Sequence, residues 1–166
     1  MKLFKYKQKL YPTYLKNHNA SKFILEFAKE YCLGKGVNIG YGNNFSKIFD
    51  RRSCLFLDLK DGINCNKIDF IEKKSLDFVF SSHTLEHMNN WKISLKNWVE
   101  KIKQNGWLFL YLPHYKMEYW KPKNNKKHKS LIYPNKIKKE LYKIKLKYIF
   151  ISGIDLFYSY CVVAKK

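Results

Sequence analysis

Three short stretches of this 166-residue chain carry residue types and spacings suited to chemistry. In VNIGYGNN (37–44), Gly40 and Gly42 let the backbone turn tightly after an apolar run and approach a ligand closely. Asp58 stands 58 − 40 = 18 positions later, at the end of CLFLDL, where a carboxylate can accept both hydroxyls of a ribose. SSHTLEH (81–87) follows a third apolar run and supplies Ser81, His83, Glu86 and His87. Together the three point to an adenosine-type cofactor. A dinucleotide oxidoreductase needs a third glycine at position 45, which is Phe45.

Other polar groups fall near the same strand ends. His114 closes WLFLYLPH, and His128 lies in NKKHKS; both are candidates to work on an acceptor, whereas His18, before the first helix, reads as exposed. His83, Glu86 and His87 also spell H-x-x-E-H, the inverted zinc-peptidase pattern, which on a helix would turn two imidazoles and a carboxylate toward one metal ion. No third peptidase ligand is evident, so a peptidase is disfavoured. A divalent ion assisting another reaction, or hydrogen bonds from Glu86 and His87 that brace the crevice floor, fit the same residues.

These residues need a scaffold, and the apolar periodicity supplies one. Asn19–Leu33 reads as a helix with Phe23, Ile24, Phe27 and Tyr31 on one face, giving residues 1–35 a helical character. Residues 36–166 then form the main body of a single domain. A short apolar run, GVNIGYG (36–42), ends in glycines; strands are expected at 54–59, 76–82 and 107–112, and a helix from about Asn90 to the Asn105–Gly106 stop. Residues 114–130 read as a long surface loop. Pro134 opens a helix with Ile137, Leu141 and Ile144 inward, and two closing strands at 147–152 and 157–164 make an antiparallel edge. Continuous apolar strands alternating with helices imply an α/β fold, its mostly parallel sheet covered on both faces. Ligands of such sheets bind beyond the carboxyl ends of the strands.

The order NIGYG, LFLDL, LDFVFSSHTLEHM, GWLFLYLPH resembles the class I S-adenosylmethionine-dependent methyltransferases, in particular the methyltransferase type 11-like group with "N-I-G-C-G" and "S-S-H-x-L-E-H" motifs. The resemblance spans about residues 36–114. It implies a Rossmann-like, doubly wound sheet and S-adenosylmethionine as cofactor. It also implies cofactor contacts from Asn38, Gly40, Tyr41, Gly42, Asp58, Leu59 and Ser81, with Asn66 or Asp69 against adenine. Asn38 replaces the family's usual acid, and Asn44 its third glycine. For an alcohol acceptor, His114 is the favoured base and His83 the second, and the motif's trio His83, Glu86 and His87 is the metal alternative.

The chain has 33 basic and 13 acidic residues, a net +20. Arginine occurs only at Arg51 and Arg52, so 31 of the 33 are lysines, as an AT-rich genome would favour. Nucleic-acid sites usually rely on arginine forks, and no D/N-P-P-Y clamp follows the SSHT strand, so base methylation is disfavoured. The resemblance makes a sugar hydroxyl, or a phosphate-bearing sugar, the expected acceptor in surface-polysaccharide synthesis. Tyr115, Tyr119 and Trp120 are available to stack on it or to pack the loop, and lysines 121–129 to draw phosphate. A binding-only relative, or a module for RNA or an anionic membrane surface, is the competing reading. The four cysteines form no C-x-x-C and read as reduced thiols, and with no leader pattern the expected location is cytoplasmic.

Overall fold

A computed structural model describes residues 2–13, 23–42 and 49–166. The expected His18 and Asn44, and residues 19–22 of the expected Asn19–Leu33 helix, lie outside the described residues. Two sheets are present. Strands β1 (Leu3–Tyr6) and β2 (Lys9–Pro12) form an antiparallel hairpin. The main sheet contains β3 (Gly36–Ile39), β4 (Cys54–Leu57), β5 (Leu76–Ser82), β6 (Ile102–Pro113), β7 (Lys147–Ile151) and β8 (Ser159–Lys165), in the order β4-β3-β5-β6-β8-β7. The first four strands of that order are parallel, and β8 runs antiparallel between β6 and β7.

Alternation along the strands sorts their side chains onto two faces. Val37, Ile39, Leu108, Leu110, Leu112, Tyr160 and Val162 enter one core, which α2 (Trp91–Lys101) and α3 (Pro134–Lys143) cover with Leu95, Trp98, Ile137 and Leu141. Phe78, Phe80, Phe109, Tyr111 and Val163 enter the other, against Leu25 and Ala28 of the short α1 (Leu25–Ala28). The expected architecture therefore holds: a Rossmann-like, mostly parallel sheet with helices on both faces and an antiparallel C-terminal strand. Among the described residues no helix is long and apolar enough to cross a membrane. All four cysteines are buried, unpaired thiols.

Three expectations are corrected. The segment 1–35 opens with the β1–β2 hairpin, and its described helix is a single turn at Leu25–Ala28. Helix α2 ends at Lys101, before Asn105–Gly106, because β6 already begins at Ile102 opposite Leu76; the Asn105–Gly106 pair falls instead in an irregularity of that ladder, with Asn105 at φ 66°. Residues 114–130 are more than a surface loop: Met117, Trp120 and His128 are buried, and Met117 and Trp120 pack with Phe4 and Tyr11 of the hairpin.

Helix α2 also secures the strap that leaves Asp58 and leads to β5. The Trp98 indole N–H donates to the Cys65 carbonyl at 2.8 Å, Asn97 Oδ1 accepts from the Ile68 N–H at 2.8 Å, and Asn66 Oδ1 accepts from the Asn89 N–H at 3.0 Å. Trp98 is fully buried. Trp98→Ala removes its core volume and leaves a buried carbonyl unpaired, so it should cost about 3–5 kcal/mol in urea denaturation.

Candidate active site

The carboxyl ends of β3 and β5 meet where the chain departs to opposite sides of β3, first to β4 and later to β5. That is the switch point of a doubly wound sheet. Ile39 is level with Ser81 of β5, and Ser81 with Leu110 of β6. Beyond that level the sheet opens, and all three chemical stretches of the sequence emerge there.

The glycine turn comes first. Gly40 and Gly42 have φ of 75° and 61°, a left-handed region that side chains strain. A Cβ on Gly40 would fall 1.8 Å from Thr84 Oγ1, so only glycine allows the post-β5 segment to close on this turn. A Cβ on Gly42 would meet nothing within 4 Å, so the turn presents open backbone on that side.

Asp58 fastens the turn to β4. Its Oδ2 accepts the Gly42 N–H at 2.8 Å, and its Oδ1 accepts the Lys60 N–H at 3.0 Å, capping the short 3-10 turn Leu59–Asp61. Each carboxylate oxygen has a further lone pair, so hydroxyls of a bound ribose still have acceptors. Beside it the Tyr41 hydroxyl donates to Asp61, which pushes the phenol up to about 12, and the Lys60 ammonium lies 4.1 Å from the Tyr41 ring centre. Leu59 is largely exposed at this rim.

The other expected cofactor residues are placed differently. Ser81 is buried and donates to the Ile39 carbonyl at 3.0 Å, bracing β3 against β5. Asn38 is buried within β3 and paired to Phe56 and Phe80 in register, on the sheet face opposite Ile39. Asn66 uses its amide on Asn64 and Asn89, and Asp69 accepts from the Asn97 amide at 2.6 Å. Gly40, Tyr41, Gly42, Asp58 and Leu59 are thus gathered at one rim, with Ser81, Asn38 and Asn66 in bracing positions behind it.

Past β5 the backbone kinks at His83, which takes φ 48°. Its Nε2 is 2.9 Å from Ser159 Oγ, and its ring packs edge-on against Tyr111 and Trp120 at 5.4 and 4.9 Å. Ser159 donates to the Phe157 carbonyl at 3.2 Å, so it accepts from His83. Asp155 holds this corner together, accepting from the Tyr111 hydroxyl and from the backbone N–H of Phe157 and Ser159, both at 2.8 Å. Burial and the Asp155 carboxylate raise the Tyr111 phenol, which stays protonated.

Glu86 and His87 sit on a three-residue 3-10 turn, Leu85–His87, instead of the expected helix. Glu86 is fully buried, and among the described residues neither carboxylate oxygen has a hydrogen-bond partner; burial pushes its pKa up to about 8. His83 Nδ1 and His87 Nε2 each lie 3.8 Å from Glu86 Oε1. His128, from the loop after β6, closes on the same place, its ring 4.7 Å from that of His87.

His114 stands four residues past Leu110, so it lies farther out than His83, which is two past Ser81. It is buried at 7% exposure, and burial together with Lys116 lowers its pKa, leaving the ring neutral at pH 7. Its Nδ1 accepts the Lys116 N–H at 3.3 Å, which leaves the ring proton on Nε2. Tyr115 stacks between His114 and Tyr133, and Tyr119 packs against Phe4 and Tyr6. The loop aromatics are therefore engaged in holding the loop to the body. Thr84, Tyr111, Asp155 and Ser159 were not singled out by the sequence; only the folded register brings them here.

A methyltransferase domain family model matches residues 59–110, which contain SSHTLEH but not the glycine turn. The chain has the fold of the class I S-adenosylmethionine-dependent methyltransferases, and its middle third matches their domain model. Solved methyltransferases superpose on most of this chain. One from Aquifex aeolicus has 16% identity and a TM-score of 0.65, covering 93% of each chain. One from Archaeoglobus fulgidus has 15% identity and a TM-score of 0.63, covering 89% of this chain and 95% of that one. The trans-methyltransferase CalH, solved in complex with SAH, has 14% identity and a TM-score of 0.56, covering 86% of this chain and 54% of its own. No curated protein sequence matches.

The family's cofactor is S-adenosylmethionine, and the open backbone face at Gly42 with the doubly anchored Asp58 fits it. Asp58→Ala should weaken S-adenosylhomocysteine binding by about 1.5–3 kcal/mol in calorimetric titration, the range for losing hydrogen bonds to a charged group. Unchanged affinity would remove Asp58 from the cofactor site.

Proposed function

We propose that this chain methylates a hydroxyl of a small, sugar-containing acceptor, one carrying phosphate, with the cofactor held across Gly40, Gly42 and Asp58. The observation that carries the cofactor half is the open, left-handed glycine turn fastened to Asp58 at the switch point of the sheet. The acceptor half rests on the motif resemblance and on the lysines at 121, 123, 126, 127 and 129 around the loop beyond β6, which suit an anionic group. The engaged state of Tyr115, Tyr119 and Trp120 takes aromatic stacking out of the argument for a sugar.

S-adenosylmethionine supplies an electrophilic methyl group on a sulfonium. The chain's own contribution is positioning, which can lower such a barrier by about 7–11 kcal/mol. Asp58 and the glycine turn orient one side. On the other, His114 offers Nε2–H as a donor to the acceptor oxygen, because Lys116 N–H occupies the Nδ1 lone pair; as the O–methyl bond forms and the S–methyl bond breaks, the hydroxyl proton passes to solvent. That replaces the expectation of His114 as a base with a holding role. His83, clamped by Ser159 and wedged against Tyr111 and Trp120, forms the wall between the two sides.

The two roles of His114 separate experimentally. His114→Gln keeps an N–H donor but cannot act as a base, so it should retain turnover within about tenfold of the parent, while His114→Ala loses about 10²-fold. Both should titrate normally with S-adenosylhomocysteine. A glutamine variant as inactive as alanine would restore the base role. Inactivity of the parent across sugar nucleotides and glycans, with cofactor binding intact, would overturn the sugar acceptor. The same ring predicts a pH dependence. Its folded pKa is lower than the unfolded value of about 6.5, so its effect on stability is absent above that value. As pH falls through 6.5 the unfolded chain binds the proton first, and stability drops. Thermal melts from pH 7.5 to 5 should show that loss diminished in His114→Gln.

A further inference from the structure

We propose that Glu86, His87 and His128 bind a divalent transition-metal ion of the zinc class, pinning the loop after β6 to the end of β5. The first observation is the carboxylate. Glu86 is fully buried, and among the described residues neither of its oxygens has a hydrogen-bond partner, a state that folded chains avoid unless a proton or a cation compensates it. The second is convergence: one ligand atom from each of the three side chains lies within 4.8 Å of the other two.

The third is the orientation of His87. Its Nδ1 is 2.8 Å from the Lys127 carbonyl, and a nitrogen so close to a carbonyl oxygen must donate. With Nδ1 donating, the ring's other nitrogen, Nε2, faces Glu86 Oε1 at 3.8 Å. That separation is too long for a hydrogen bond. It is close to the ~3.4 Å edge of a tetrahedron with metal–nitrogen and metal–oxygen bonds of about 2.0–2.2 Å. A backbone carbonyl that takes the far N–H of an imidazole is the usual partner of a metal-ligating histidine.

The backbone already assembles the site. The N–H groups of Lys129 and Ser130 donate to the Glu86 carbonyl at 2.8 and 3.1 Å, which fixes the neighbouring His128 beside the carboxylate. The sequence motif suggested His83 as the third ligand. The fold instead commits His83 Nε2 to Ser159 and brings in His128, forty-two positions after Glu86. Two imidazoles and one carboxylate suit zinc or cobalt better than calcium or magnesium, which demand more oxygens. The His87 side chain is 34% exposed, so solvent reaches the remaining coordination position. Lys127 and Lys129 oppose a dication at long range, so affinity has to come from the direct bonds.

Cobalt(II) titration of the full-length, chelator-stripped protein tests this. We expect one equivalent per chain, with the intense visible bands of a four- or five-coordinate nitrogen–oxygen site, displacement by zinc, and a rise in melting temperature with either ion. His128→Ala and Glu86→Gln should each bind cobalt at least about tenfold more weakly and lose the metal-dependent rise. Metal-free Glu86→Gln, which has no buried charge to compensate, should melt at or above the parent. Several results would overturn the site: no stoichiometric binding, bands showing thiolate ligation by a cysteine, or affinities unchanged in both variants.

Discussion

The absence of a side chain at Gly40 is the constraint on which the rest of the site depends. Thr84 Oγ1 occupies the place a Cβ would take, and from there it donates to the Ser82 carbonyl at 3.0 Å with the Ile39 carbonyl at 3.3 Å. Ser81 donates to that same Ile39 carbonyl. The Ser81 hydroxyl therefore satisfies the last carbonyl of β3, where the strand pairing stops and a buried acceptor would otherwise go unmet, while Thr84 gives its proton to Ser82. The glycine turn and the histidine-bearing segment are one packed unit, and movement of either displaces the other.

A second unit faces it. Tyr111 of β6, Asp155 before β8, and Ser159 at the start of β8 are joined by hydrogen bonds that end on His83. Inserting β8 antiparallel beside β6 is what carries Asp155 and Ser159 to this end of the sheet. The β1–β2 hairpin then packs on Met117 and Trp120, and Trp120 leans on His83. The His83 corner is thus built from late and early parts of the chain, and the Gly40–Asp58 rim from its middle.

That division explains what the sequence disclosed. The strands β3, β5 and β6 were legible because they are continuous apolar runs ended by glycine, serine or proline, and Asp58 because its distance from Gly40 has a physical reason. The hairpin was hidden by lysines alternating with Leu3, Tyr6 and Leu10, a pattern that carries no helix or core-strand signal. Asp155 and Ser159 sit in an unremarkable polar turn, and their role follows only from strand order. The H-x-x-E-H spacing groups His83, Glu86 and His87 on one helix face, whereas a 3-10 turn and a returning loop group Glu86 and His87 with His128.

The Gly40 turn, closed on Thr84, is the proposed cofactor site. Calorimetric titration of S-adenosylhomocysteine into the parent and into Gly40→Ala, with circular dichroism to establish that the variant is folded, tests it most directly. A methyl group there meets Thr84 and demands a strained φ, so the turn must move. The account predicts 1:1 binding to the parent and at least about a tenfold loss in the folded variant, equivalent to ~1.4 kcal/mol. Equal affinities, or no binding to the parent, would contradict it.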